Sequence, residues 1–293
     1  MAAGAAGLMA IVLVVSHFRN GHTSLEQFEL KARRIELVEQ MRLALASASE
    51  AEKSAVMAIT DEDSQAYADQ ARAAAGTVEQ AHKELAELLE TGGNRDERDL
   101  LGQFTKAFAE FQRIDKDLLD LAVKNTNLKA SSLAFGPAAA ALQEMDAALS
   151  RLATVNAADS KIVRLADDAR IAALRIQTLL PPHIAEESDQ KMDEIEGRMA
   201  KEDRDVRTSL AELAAMPNLG GNADLQTATS SYARFNETKA QILKLSRENT
   251  NVRSLTISLN QKRKVMLVCQ DALTALKTAI EQESIAPAPV NPR

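Results

Sequence analysis

The chain has 293 residues, 45% of them apolar, and 35 basic against 42 acidic side chains give it a net charge of −7. That length accommodates two modest domains, that apolar fraction excludes a wholly disordered chain, and an acidic balance with no concentrated basic stripe excludes a nucleic-acid binder. The apolar share is mostly Ala and Leu, with no Trp, two Tyr, seven Phe, 11 Gly and 7 Pro, so helices are favoured over sheets.

Residues 1–18 read as a transmembrane anchor. No charged side chain occurs from Met1 to Ser16, and Leu8-Met9-Ala10-Ile11-Val12-Leu13-Val14-Val15 is the most apolar run of the chain. Leu8, Ile11, Leu13 and Val15 are its central membrane-facing residues. At ~1.5 Å per residue, Ala2 to Phe18 spans roughly 25 Å against a hydrocarbon core of about 30 Å, a short single span. A cleaved signal peptide is the competing reading, set back because no Lys or Arg precedes the run and no Ala-x-Ala follows it. Arg19, Lys31, Arg33 and Arg34 all follow the segment, and the positive-inside rule alone would keep that side in the cytoplasm.

A first helix follows, with Leu37, Met41, Ala44, Ala48, Ala51 and Ala55 on one side, continuous or nearly so with the anchor. The clearest period is Tyr67, Ala71, Ala74, Val78, Ala81, Leu85, Leu88, spaced 4-3-4-3-4-3 as in a coiled-coil seam. Asp61-Glu62-Asp63-Ser64 opens this second helix and Gly92-Gly93-Asn94 ends it. A third helix runs through Leu101, Phe104, Phe108, Phe111 and Leu118 and is expected to stop at Gly136-Pro137. A fourth carries Leu142, Met145, Leu149 and Leu152. Four such helices with short turns predict an antiparallel bundle.

The second half repeats the first. Asn125-Thr126-Asn127-Leu128-Lys129 and Asn249-Thr250-Asn251-Val252-Arg253 lie 124 residues apart, and the same spacing pairs Phe108 with Tyr232, Phe111 with Phe235, Leu142 with Met266 and Met145 with Cys269. Gly92-Gly93-Asn94 recurs as Gly220-Gly221-Asn222. The second set of helices begins near Asp159, is interrupted by Pro181-Pro182, and ends near Ile285; no breaker is seen across Val155 to Ala158. The predicted fold is all-α: an anchor (1–18), a first helical bundle (19–157), a second (158–285) stacked end to end with it, and an extended tail (286–293).

An anchor followed by a bundle with a Phe-rich third helix resembles the extracytoplasmic sensor domains of methyl-accepting chemotaxis receptors and sensor histidine kinases, and the doubled form resembles their bimodular variants. The resemblance covers about residues 20–285. It implies a single-pass protein of the bacterial inner membrane with its bulk in the periplasm, dimerisation, and recognition of small organic anions between helices. The chain departs from a receptor in that no second span, relay linker or output domain follows Ile285.

Arg42, Arg170 and Arg175 lie within or beside apolar stripes and could clamp a carboxylate bidentately. Asn125 and Asn249 continue a heptad seam, where Asn either fixes register or meets a ligand, and Asn127 and Asn251 of the same repeated motif are candidate ligand contacts with them. No catalytic, cofactor or metal site is expected. His17, His22, His82 and His183 are not spaced to share a metal, Glu79-Gln80-Ala81-His82 is a single Glu-x-x-His, the neighbours in Asp167-Asp168 and Glu186-Glu187 point apart on a helix, and the one cysteine, Cys269, lies on the Met266, Leu273, Leu276, Ile280 seam. The expectation is a non-enzymatic module bound to membrane lipid by its anchor and to a protein partner, as an accessory subunit of a larger membrane complex; the alternative is a sensor of small organic anions.

Overall fold

The computed structural model describes residues 24–283. Every regular element among them is helical: α1 (Ser24–Met57), α2 (Asp61–Gly92), α3 (Arg95–Ala122), α4 (Thr126–Leu133), a π turn (Ala134–Ala138), α5 (Ala139–Val155), α6 (Ser160–Ala185), α7 (Asp189–Ala214), a 3-10 turn (Pro217–Leu219), α8 (Ala223–Glu248), α9 (Thr250–Ile257), a second π turn (Ser258–Lys262) and α10 (Arg263–Gln282). Among the described residues no helix is long and apolar enough to cross a membrane. The expected anchor, with Leu8, Ile11, Leu13 and Val15, and the expected tail lie outside the described residues.

Polar side chains set the helix starts by accepting orphaned N–H groups. Thr60 Oγ1 accepts from Asp63 N (3.0 Å), Asp159 Oδ1 from Lys161 N (3.0 Å), Ser188 Oγ from Lys191 N (3.4 Å) and Asn222 Oδ1 from Leu225 N (3.0 Å). Asn94 and Glu97 form a reciprocal capping box at the start of α3, Glu97 N to Asn94 Oδ1 at 2.9 Å and Asn94 N to Glu97 Oε2 at 3.2 Å.

Three sequence-based boundaries move. The third helix stops at Ala122, because Asn125 adopts a left-handed conformation (φ 51°) that a right-handed helix cannot continue. Gly136-Pro137, expected to end it, lies instead inside a π turn, where the wider i→i+5 spacing absorbs a residue with no N–H. The expected continuity through 155–158 also fails. Asn156 leaves helical geometry, its Nδ2 donates to Leu152 O (2.9 Å), and Asp159 caps a new helix. Pro181 and Pro182 do not interrupt α6, which runs three residues further, to Ala185.

The seam expected on α2 is partly rotated. Ala71, Val78, Ala81 and Leu85 are buried as expected, and Ala74 and Leu88 pack against the core while partly buried, but Ala68, Ala75 and Leu89 are the more deeply buried neighbours and Tyr67 is exposed. An undistorted helix turns through 3.6 residues, so a strict 3.5-residue stripe drifts off the core face.

The described residues form two compact units: 24–52, 69–115 and 262–283 make the first, 53–68 and 116–261 the second. The first unit's core joins Leu37, Met41 and Leu45 of α1, Val78 and Leu85 of α2, Phe104, Phe108 and Phe111 of α3, and Cys269, Leu273, Leu276 and Ile280 of α10. The second unit's core joins Met145, Leu149 and Leu152 of α5 to α6, α7 and α8. A division at 157/158 therefore does not follow the packing. The fourth helix of each repeat completes the bundle begun by the other repeat: α10 serves α1–α3, and α5 serves α6–α8.

Candidate functional site

The Asn-Thr-Asn repeats meet each other within the second unit. Asn125 and Asn249 both take left-handed backbone angles (φ 51° and 53°), which the short polar Asn side chain tolerates better than most. Each opens a short helix whose first N–H groups need acceptors, and each helix supplies them to the other. Thr126 N donates to Thr250 Oγ1 (3.2 Å) and Thr250 N to Thr126 Oγ1 (3.1 Å); Asn127 N donates to Asn251 Oδ1 and Asn251 N to Asn127 Oδ1, both at 3.1 Å. The side-chain amides close the knot, Asn127 Nδ2 to Asn249 Oδ1 (2.7 Å) and Asn251 Nδ2 to Asn125 Oδ1 (3.0 Å). Asn127 also donates to Ile184 O (2.7 Å), Asn249 to Glu186 O (2.8 Å) and Asn125 to Asp61 Oδ1 (3.0 Å). The four asparagines thus spend their polar atoms on a mutual helix cap.

The arginines are not brought together. Arg42, half-exposed on α1, donates to Glu39 (3.0 Å), whose carboxylate also meets Lys277 Nζ (2.8 Å). Arg170 is held between Asp146 (2.7 Å) and Asp167 (3.0 Å), and the hydrogen bond to Asp146 above all keeps its guanidinium charged. Arg175 is 63% exposed, and its nearest carboxylate is Glu202 at 3.5 Å. It lines a groove of about 410 Å³ between α6 and α7 with Thr178, Leu179, Arg198, Lys201 and Glu202. Arg198 has no ion pair among the described residues, and Lys201 leans on Asp205 (3.1 Å). Sequence reasoning missed Arg198 and Lys201, although they stand three residues apart on one helix face.

Ser246, His183 and Glu196 form a hydrogen-bonded series that resembles a hydrolase triad. His183 Nδ1 lies 2.8 Å from Ser246 Oγ and Nε2 lies 2.8 Å from Glu196 Oε1. Ser246 and His183 are fully buried, and Ser246 Oγ sits 2.9 Å from the His183 carbonyl, so no substrate reaches that hydroxyl. Burial opposes the Glu196 charge, but hydrogen bonds from Arg247 and His183 outweigh it and hold the carboxyl below its usual range. The series ties α6, α7 and α8 together. His82 contacts Thr105 Oγ1 (2.7 Å) on α3, and Cys269 is fully buried in the first unit's core. Among the described residues no group of three or more His, Cys, Asp or Glu side chains is placed to hold a metal ion.

The two repeats share more than their motif. Phe108 stacks with Phe104 and Phe111 (5.4 and 5.7 Å between centroids), and its counterpart Tyr232 stacks with Phe235 (5.9 Å), both residues buried. A family model described as a four helix bundle sensory module for signal transduction matches residues 6–171, more than half of the chain. The chain belongs to this family. No curated protein matches it. The matched stretch of this sensory module takes in α1 to α5 and the start of α6, and it begins two residues before the apolar run that starts at Leu8. Membership supports a role in sensing signals and lends nothing to the accessory-subunit role expected from the sequence.

Proposed function

We propose that this chain is an extracytoplasmic ligand-sensing module in tandem form, held at the membrane by residues 1–18, and that it recognises a small organic anion in the groove between α6 and α7. The observation that carries this reading is the groove's charge. Arg175, Arg198 and Lys201 face one acidic residue, Glu202, across a space of about 410 Å³, the size of a small polycarboxylate site. Arg175 and Arg198 are exposed, Arg175 meeting Glu202 only at 3.5 Å, and a guanidinium offers a carboxylate two parallel N–H donors. Arg42 and Arg170, already committed to carboxylates of their own, have no part in this reading.

A panel of di- and tricarboxylates tests it by thermal shift and calorimetry on the intact protein. A ligand present at 100 times its dissociation constant adds about 2.7 kcal/mol of stability. Arg198→Gln and Arg175→Gln together should abolish that gain without lowering the ligand-free melting temperature. A panel without a hit, or a hit indifferent to both substitutions, removes the groove from the reading. Alkaline carbonate washing tests the anchor separately, since release of the full chain into the wash contradicts it.

A further inference from the structure

One buried ionisable side chain of the second unit sits where a helix ends. His183 stands in the last turn of α6, fully buried, with both ring nitrogens in hydrogen-bond contact. Nε2 lies 2.8 Å from Glu196 Oε1 on α7, an oxygen that also accepts from Arg247 Nε of α8 at 2.8 Å. An oxygen so placed is an acceptor, and Nε2 therefore carries a hydrogen whatever the charge of the ring. Nδ1 lies 2.8 Å from Ser246 Oγ, which is also 2.9 Å from the carbonyl oxygen of His183 itself.

Ser246 has a single hydrogen to give, and two arrangements use it without moving a heavy atom. With a neutral ring, Nδ1 is a bare acceptor, the hydroxyl donates to it, and the His183 carbonyl keeps only the amide of Glu186, at 3.4 Å. With a proton on Nδ1, that nitrogen donates to Ser246 Oγ and the hydroxyl turns to the carbonyl at 2.9 Å. Neighbouring carbonyls at the same helix end have fixed donors, Asn127 on Ile184 O (2.7 Å) and Asn249 on Glu186 O (2.8 Å). The His183 carbonyl differs from both, because its partner depends on the ring.

Glu196 presents a carboxylate to the ring, and the end of α6 adds the negative end of its dipole. Arg247 opposes them, but it is spent on Glu196, on Asp193 and on Asp189 O (3.3 Å). Beyond the helix, the Glu186 carboxylate accepts from the amides of Glu187 (3.0 Å) and Ser188 (2.9 Å). On α4, Lys129 pairs with Asp61 (2.9 Å); on α5, Glu144, Asp146 and Arg151 pair with Arg234, Arg170 and Asp224.

We propose that the second unit is a proton sensor: His183 takes a proton from solvent at Nδ1, the Ser246 hydroxyl turns from the ring to the His183 carbonyl, and the end of α6 is fastened to α7 and α8. The proton is a ligand with a prepared site, since its arrival adds a hydrogen bond and breaks none. Glu196, whose side chain is part-exposed, marks the side from which a brief opening admits it. The site uses none of Arg175, Arg198 and Lys201, and it does not depend on the anion groove.

Ring nitrogen-15 spectra of the full-length protein follow the proton directly, with His183→Gln to assign the His183 signals. From about pH 8 to about pH 5, Nδ1 should change from bare to protonated while Nε2 keeps its hydrogen throughout. Over the same range the amides of 183–185, referred to those of α2, should exchange about fivefold more slowly, the size of one added hydrogen bond. Ser246→Ala removes the hydroxyl, and that slowing should vanish. Glu196→Gln leaves Nε2 an acceptor but removes a charge, so filling Nδ1 should need about a tenfold higher proton concentration. A ring that keeps one charge state over the whole range, an Nε2 that loses its hydrogen, or exchange that ignores the ring's titration or survives Ser246→Ala unchanged makes the three residues a fixed brace and overturns the proposal.

Discussion

Two positions that bury a charge in the first unit bury an apolar side chain in the second. Glu52 and Lys262 of the first unit are almost wholly buried, and the residues 124 positions away in the second are Ile176 and Ala138, buried to the same degree. Asp115, which pairs with Lys262, corresponds to Lys239. Lys262 Nζ also lies 3.2 Å from the centre of the Phe111 ring, a cation–π contact strengthened by the dry surroundings. Burial alone pushes the Lys262 ammonium down, and the charges of Asp115 and Glu52 oppose that. One repeat pattern thus supports two kinds of core, and the charged one holds only while each ion keeps its partner.

Breaking one partner should have the largest effect. Asp115→Leu removes the carboxylate that pairs with the Lys262 ammonium and leaves it only the Glu52 charge, and should cost ~3–5 kcal/mol in urea unfolding followed by circular dichroism, while adding Lys262→Met should recover part of it. A loss below about 1 kcal/mol for the single variant would mean that the pair does not distinguish the two cores. The reciprocal cap makes the opposite kind of prediction, one of equality. Thr126→Val and Thr250→Val each remove an acceptor from a buried N–H, and each should cost about 1–3 kcal/mol, by the same amount within error. Unequal losses would show that one repeat dominates the cap.

A pH dependence follows from Lys262. Because its native value lies below the usual 10.5, the unfolded chain holds more protons in the window between the two, so stability rises with pH there, by at most about 1.4 kcal/mol per unit. The slope should be visible in urea midpoints as the solution approaches pH 10.5 from below and absent from the Asp115→Leu, Lys262→Met double variant. The smallest effect concerns Cys269, whose thiol burial pushes up to about 12. Native protein should resist a thiol reagent at neutral pH, with labelling that tracks unfolding; rapid labelling without denaturant would place Cys269 outside the core.

The helical stripes were legible because burial repeats at helical spacing, and the 124-residue spacing was legible as a recurrence of residue types. The match extends to α1 and α6, where Val38, Met41 and Leu45 correspond to the buried Ile162, Leu165 and Ala169. Which fourth helix joins which bundle was not legible, since α5 and α10 carry interchangeable stripes and their exchange turns on the left-handed Asn125 and Asn249. The seven-residue pattern makes an Asn look like a register marker and gives no sign that it breaks the helix. Lys262 could have been found, because it continues the Met266, Cys269, Leu273 seam by one helical step and replaces Ala138 of the other repeat. Ser246 and Glu196 left no such signal, since a single polar residue on a helix looks the same whether its partners come from one helix or three.

The exchange of fourth helices is tested most directly by cross-linking. Glu39 on α1 and Lys277 on α10 lie in contact (2.8 Å between Oε1 and Nζ), whereas Ala153 of α5 holds the repeat position of Lys277. In a Cys269→Ala background, Glu39→Cys with Lys277→Cys should be bridged rapidly within one chain by a short bis-maleimide, and Glu39→Cys with Ala153→Cys should not. Bridging of 39 to 153 instead of 277 would mean that each repeat closes its own bundle, and would contradict the architecture.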